Sequence, residues 1–175
     1  MAEALWVLED KPIPVSFKTQ GYSFYKGGSG VLGSPMEAYL RLVAVKGNQK
    51  SEIQKPSDLA GKVVIDSPGQ ALEFVRLFTS PATEYLFPRI KLVEPFLAPN
   101  DGGGVEYTDE YRLRVNIKGP TARQEDEFFV IERPLLDGSG TLFQAVERVG
   151  RDGAYSLIQT TVLDPRSPIR YPLYE

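Results

Sequence analysis

The stretch LFQAVERVGRDGAYSLIQTTVL, residues 142–163, decides the fold class. Two apolar-rich runs, 142–149 and 155–163, flank Gly150-Arg151-Asp152-Gly153. An Asp-Gly pair adopts the positive φ angles of a tight hairpin without the steric strain other residues would suffer there. The spacing predicts two antiparallel strands joined by that turn.

The residues before this hairpin extend it. Phe128, Phe129, Val130 and Ile131 form an unbroken apolar run within 127–133, as in a strand covered on both faces, and Asp137-Gly138-Ser139-Gly140 supplies the next turn. Further back, Tyr111, Leu113, Val115 and Ile117 alternate with Arg112, Arg114, Asn116 and Lys118. That period of two predicts a half-buried strand, turned by Gly119-Pro120. Four strands in succession make a C-terminal meander. The tail LDPRSPIRYPLYE has a proline every few residues, so it is expected to lie extended over the surface instead of continuing a central strand.

The N-terminal half carries the helix signal. Ser67 is placed as N-cap and Pro68 at the first helical position, predicting a principal helix from Ser67 to Thr79. Ala71, Leu72, Phe74, Val75, Leu77 and Phe78 cover most of its circumference. Gly69, Glu73, Arg76 and Ser80 are left as a narrow polar stripe, with Glu73 and Arg76 as a surface i, i+3 pair. Ser80-Pro81 repeats the start signal for a further turn at 82–87, and 91–96 reads as extended. Short strands are expected within 15–25 around Gly21, at 38–46 ending at Gly47-Asn48, and at 62–65, with 49–58 a polar surface loop. Strands followed by one helix and then a meander predict an α+β fold: a mainly antiparallel sheet with one principal helix packed on it and a C-terminal four-strand meander. One domain is expected over residues 1–175, with a sub-boundary at the glycine-rich loop 98–104.

Composition bounds the chemistry. A chain of 175 residues buries roughly 70% of its unfolded surface, and 42% hydrophobic with 25% charged residues is the balance of a folded protein. Sixteen glycines and fourteen prolines favour turns over long helices. A net charge of −3 and a pI near 5.2 provide no general attraction to nucleic acid or anionic lipid. The opening MAEALWVLEDKPIPV lacks the basic and apolar regions of a secretion signal, and no run approaches a membrane span, so a soluble, cytoplasmic protein is expected. The chain has no histidine and no cysteine. Imidazole-based triads, thiol nucleophiles and histidine or thiolate metal sites are therefore excluded, leaving carboxylate, lysine, tyrosine or Ser-Lys chemistry. That balance leans away from an enzyme.

Four groups of residues are candidates. Gly28, Gly30 and Gly33 have the G-x-G-x-x-G spacing, and Ser34-Pro35-Met36-Glu37 has the form of a capping box. A dinucleotide site also needs parallel strands joined by helices, which the pattern does not supply, so the stretch reads as a glycine loop without a nucleotide cofactor. Gly28, Ser29 and Gly30, with Tyr25 before them, are then a candidate ligand or partner contact. Asp101, Glu106, Asp109 and Glu110 offer hard oxygen ligands for a divalent ion, or an acid and base, although they lack any metal-loop spacing. Arg112 and Arg114 share a strand face with Lys118 and would suit an anionic ligand, unless Glu127, Glu132 and Glu147 on the following strands pair with them. Arg170 and Tyr171 in the tail suit a protein partner. The functional expectation is a non-catalytic binding or protein-interaction domain, with a protein partner or a homodimer, no cofactor, no nucleic acid and no membrane. The alternative is a carboxylate-dependent enzyme of hydrolase type, assisted by a divalent metal.

Overall fold

A computed structural model describes residues 5–8, 10–30, 41–78, 113–117, 120–136 and 141–167. Two four-stranded antiparallel sheets follow one another in the chain, each with its strands in sequence order. The first holds β1 (Leu5–Leu8), β2 (Ser23–Gly30), β3 (Arg41–Lys46) and β4 (Gln49–Ile53). A 3-10 turn at Pro56–Leu59 and helix α1 (Pro68–Arg76) come next. The second sheet holds β5 (Thr121–Glu125), β6 (Phe128–Leu136), β7 (Leu142–Gly150) and β8 (Tyr155–Asp164). The fold is α+β, with the principal helix and the C-terminal four-strand meander that the sequence predicts.

Helix α1 starts as its sequence dictates. The Ser67 hydroxyl accepts a hydrogen bond from the Gln70 amide at 3.3 Å, and Pro68 occupies the first turn, where its missing N–H costs nothing. The helix ends at Arg76, short of Thr79, because the chain tightens: the Phe78 amide donates to the Val75 carbonyl, a 3-10-type closure. Ala71, Phe74 and Val75 face inward, and α1 packs against β5 and β6. Glu73, on the polar stripe, accepts from both the backbone amide and the hydroxyl of Ser16, so it fastens the segment before β2 to the helix. Gln70 adds to this clamp by donating to the Ser16 carbonyl at 3.0 Å.

The principal core draws on both sheets and the helix. Phe24, Leu42, Ala44 and Ile53 come from the first sheet, Phe74 and Val75 from α1, and Phe129, Ile131 and Val149 from the second. Phe17 meets Phe24 and Phe74 at ring-centroid distances of 6.5 and 6.0 Å, within the range where aromatic rings attract edge to face.

The β7–β8 turn holds the second sheet to the chain between β4 and α1. The Gly61 amide donates to the Asp152 carbonyl and the Ile65 amide to the Arg151 carbonyl, each at 2.8 Å. Gly153 sits at φ 83°, and a Cβ placed there would lie 2.5 Å from a Val63 methyl. Only glycine satisfies both the left-handed backbone and this close approach.

Four local expectations are corrected. Gly28, Ser29 and Gly30 of the glycine stretch are not a loop but the end of β2, paired with Val7, Trp6 and Leu5 of β1, while Gly33 and residues 34–37 lie outside the described residues. Residues 49–53 form β4 instead of a loop, since they close a hairpin on β3 at Gly47-Asn48. Within 62–65, only Val64 makes a bridge, to Lys18. The first strand of the meander is Thr121–Glu125; the alternating stretch before it forms a turn at residues 113–116, where Asn116 takes φ 54° and breaks the extended conformation. The boundary expected at 98–104 and the turn expected at 82–87 lie outside the described residues.

Candidate protein-interaction edge

Among the described residues β8 is an edge of the second sheet, paired on one side with β7. Its two ends differ. Near its start, Tyr155 is half-buried against the principal core and donates its phenol to Glu147 at 2.9 Å. Arg133 on β6 and Glu147 on β7 are each 1% exposed. Their side chains meet twice, from Arg133 Nε to Glu147 Oε2 at 2.6 Å and from Nη2 to Oε1 at 2.9 Å. Arg133 Nη2 also reaches the Val75 carbonyl of α1 at 3.4 Å.

The ladder explains why these groups converge. Arg133 stands opposite Ala145, and Glu147 opposite Ile131, so the pair is a diagonal contact on the core face of the sheet. On β8, Tyr155 stands opposite Val149, which puts it diagonal to Glu147 on the same face. Burial, with the Glu147 carboxylate beside it, pushes the Tyr155 phenol well above its ordinary range. It therefore stays protonated and acts as a donor. An enclosed, mutually satisfied Arg-Glu-Tyr cluster has no free base and no access to substrate; its chemistry is to fix three strands in one register.

Beyond this anchor, β8 turns to solvent. Ile158 is an extra residue between the Glu147–Leu157 and Val146–Gln159 pairs, and Leu163 is an extra residue between Phe143–Val162 and Leu142–Asp164. These bulges keep Leu157, Thr160 and Val162 opposite the core-face residues Glu147, Ala145 and Phe143. Leu157, Ile158 and Val162 are nevertheless 45%, 49% and 60% exposed. No charged residue occurs from Tyr155 to Leu163.

Bulges are one way natural sheets protect an edge, and among the described residues the remaining edges are protected in others. β1 has four residues. β4 carries Lys50 and Glu52. β5 carries Arg123, bridged to Glu125 at 2.8 Å and to Glu132 at 2.5 Å, and these two carboxylates hold its guanidinium above its ordinary pKa.

The residues singled out from sequence do not gather into one place. Tyr25 is half-buried in the middle of β2 opposite Val43, on the same strand as Gly28, Ser29 and Gly30. Arg114 lies in the turn before β5 and not on a strand face. Glu132 and Glu147, expected to face the basic stripe, are engaged by Arg123 and Arg133. Asp101, Glu106, Asp109, Glu110, Arg112, Arg170 and Tyr171 lie outside the described residues. Among the described residues no three carboxylates come together as a metal site, and no helix is long and apolar enough to cross a membrane. Compared with protein-family models, curated proteins and solved structures, the chain matches none.

Sequence reasoning missed both Arg133 and the β8 edge. The signal for the first was present: Phe143, Ala145, Glu147 and Val149 alternate along β7, which puts Glu147 at an apolar position. A carboxylate there calls for a buried cation, and the hairpin register supplies Arg133.

Proposed function

We propose that this chain is a non-catalytic protein-interaction domain whose contact surface is β8. The observation that carries the reading is the combination of exposed Leu157, Ile158 and Val162 with an edge strand whose residues 155–163 carry no charge. Among the described residues no strand pairs with the outer side of β8, so between its bulges the edge offers backbone donors and acceptors to an added strand, and the apolar side chains contribute burial once it docks. The Arg133–Glu147–Tyr155 cluster supports the same reading, since it holds the root of β8 rigid and so lowers the entropic cost of docking. The carboxylate-enzyme alternative draws on Asp101, Glu106, Asp109 and Glu110, and no observation on the described residues favours it.

A photo-crosslinking residue tests this reading in cells expressing the full-length chain. Placed at Ile158, it is expected to give a discrete protein adduct, whereas the same group at exposed Ser51 on β4 gives none. Equal labelling from both positions, or none from Ile158, overturns the assignment of β8.

A further inference from the structure

We propose that Lys46 and Lys62, which converge on the ring of Tyr22, form a binding site for the phosphate group of a phosphate monoester. The site shares no residue with β8, so it goes beyond the contact edge and stands or falls separately from it.

The backbone builds the site from three segments. The Tyr22 amide donates to the Thr19 carbonyl at 2.8 Å, and Gln20 and Gly21 take positive φ angles of 50° and 82°, so the chain reverses tightly just before β2. Tyr22 precedes the Ser23–Val45 pair of the β2–β3 ladder, which brings it beside Lys46. Its ring is half-buried against the principal core, which fixes its orientation. Lys46 lies along Gly21, where a Cβ would meet its Cε at 3.6 Å, and its ammonium stands 4.9 Å from the centre of the Tyr22 ring. Half-buried Lys62 comes from the segment between β4 and α1; its ammonium donates to the Asp58 carbonyl and stands 6.0 Å from the same ring centre. The ring face attracts each cation and so gathers the two.

That attraction positions the ammonium groups without neutralising them. Among the described residues neither forms an ion pair with a carboxylate, whereas Lys18 at the entry to the same turn is bridged to Asp66 at 2.8 Å. Two like charges gathered at one ring repel each other. Each ammonium also has three N–H donors, and the Asp58 carbonyl occupies one of those on Lys62. An oxyanion between the two relieves the repulsion and accepts from the remaining donors. The charge selects the class, since a phosphate monoester carries about −1.5 to −2 at pH 7 and matches two cations better than a single carboxylate does. The chain as a whole carries −3, so the attraction belongs to this pair and not to the surface at large.

Inorganic phosphate is the probe. In an NMR titration of the full chain at constant ionic strength, the ε-methylene signals of Lys46 and Lys62 and the ring signals of Tyr22 are expected to move together and saturate, while those of exposed Lys50 and Lys55 stay in place. Lys46→Gln should keep the native melting temperature and weaken phosphate by about tenfold or more. Lys62→Gln should weaken it likewise, with the melting temperature reporting the lost bond to Asp58. Glycerol phosphate and a phosphoserine peptide separate the two carriers of the group: whichever binds more tightly than inorganic phosphate supports the site and names its source as a small molecule or a phosphorylated protein. Shifts that grow linearly and alike at every lysine, saturation at other lysines, acetate binding as tightly as phosphate, or phosphate binding unchanged in Lys46→Gln each overturn the site. None of these outcomes bears on β8, whose crosslinking test uses other residues.

Discussion

β5 and β8 border the same sheet, yet β5 has five residues and a guanidinium tied to two carboxylates, whereas β8 has ten residues and exposes Leu157, Ile158 and Val162. Their attachments are reversed as well. The ion pairs of β5 lie in solvent, while β8 is rooted by an ion pair 1% exposed on each side. The short edge discourages added strands with its charges, whereas the long one, without charge over residues 155–163, has its two bulges. The polar groups in this sheet therefore do two separate jobs, repelling added strands at one border and fixing register under the other.

The largest expected effect comes from breaking the root of β8. Glu147→Ala leaves the Arg133 guanidinium buried without its carboxylate and is expected to cost about 3–5 kcal/mol in urea unfolding. Replacing both partners, Arg133→Met with Glu147→Leu, should restore most of that loss, because the penalty is that of an orphaned charge. A double variant as unstable as the single one would mean the pair itself supplies the stability.

Next is the turn that delivers β8. Gly153→Ala forces a side chain into a left-handed backbone and against Val63, at about 2–3 kcal/mol, read as a lowered denaturation midpoint. Unchanged stability would show that the turn shifts freely and does not tie the second sheet to residues 59–65.

Tyr155→Phe removes one donor to a buried carboxylate and is expected to cost about 1.5–2 kcal/mol. It also carries a pH signature. The folded chain holds the phenol protonated above the ordinary value of 10.0, so this stability is fully present below pH 10 and declines at higher pH, where the unfolded chain loses its proton first. The slope contributed by Tyr155 approaches about 1.4 kcal/mol per pH unit and should vanish in Tyr155→Phe. Identical alkaline slopes for the two proteins would place the phenol outside the cluster in solution.

The smallest effect sharpens the comparison from the other border. Arg123→Ala should leave the urea midpoint nearly unchanged, since both of its ion pairs are exposed. A loss approaching that of Glu147→Ala would erase the distinction between the two edges.

Much of the architecture was legible from local signals. Ser67-Pro68 marks the start of α1 through capping chemistry that requires no distant partner, and Asp152-Gly153 marks the β7–β8 turn through backbone sterics alone. The glycines at 28 and 30 misled because the glycine spacing of a phosphate loop is also compatible with a strand once a neighbour pairs with it, and β1 is more than fifteen residues away in sequence. The alternating stretch at 111–118 misled for the converse reason: period two was present, but Asn116 adopts a left-handed conformation that ends any strand.

The sequence by itself determined the class, the helix start, the hairpin turn and the exclusion of imidazole and thiol chemistry, all of which depend on residue identity or on neighbours a few positions apart. Only the tertiary structure decided that Arg133, Glu147 and Tyr155 meet, that β8 is a border and that its apolar residues stay exposed. Those outcomes depend on register and on which strand ends the sheet, and hydrophobicity along the chain is the same for a leucine that will be covered as for one that will not.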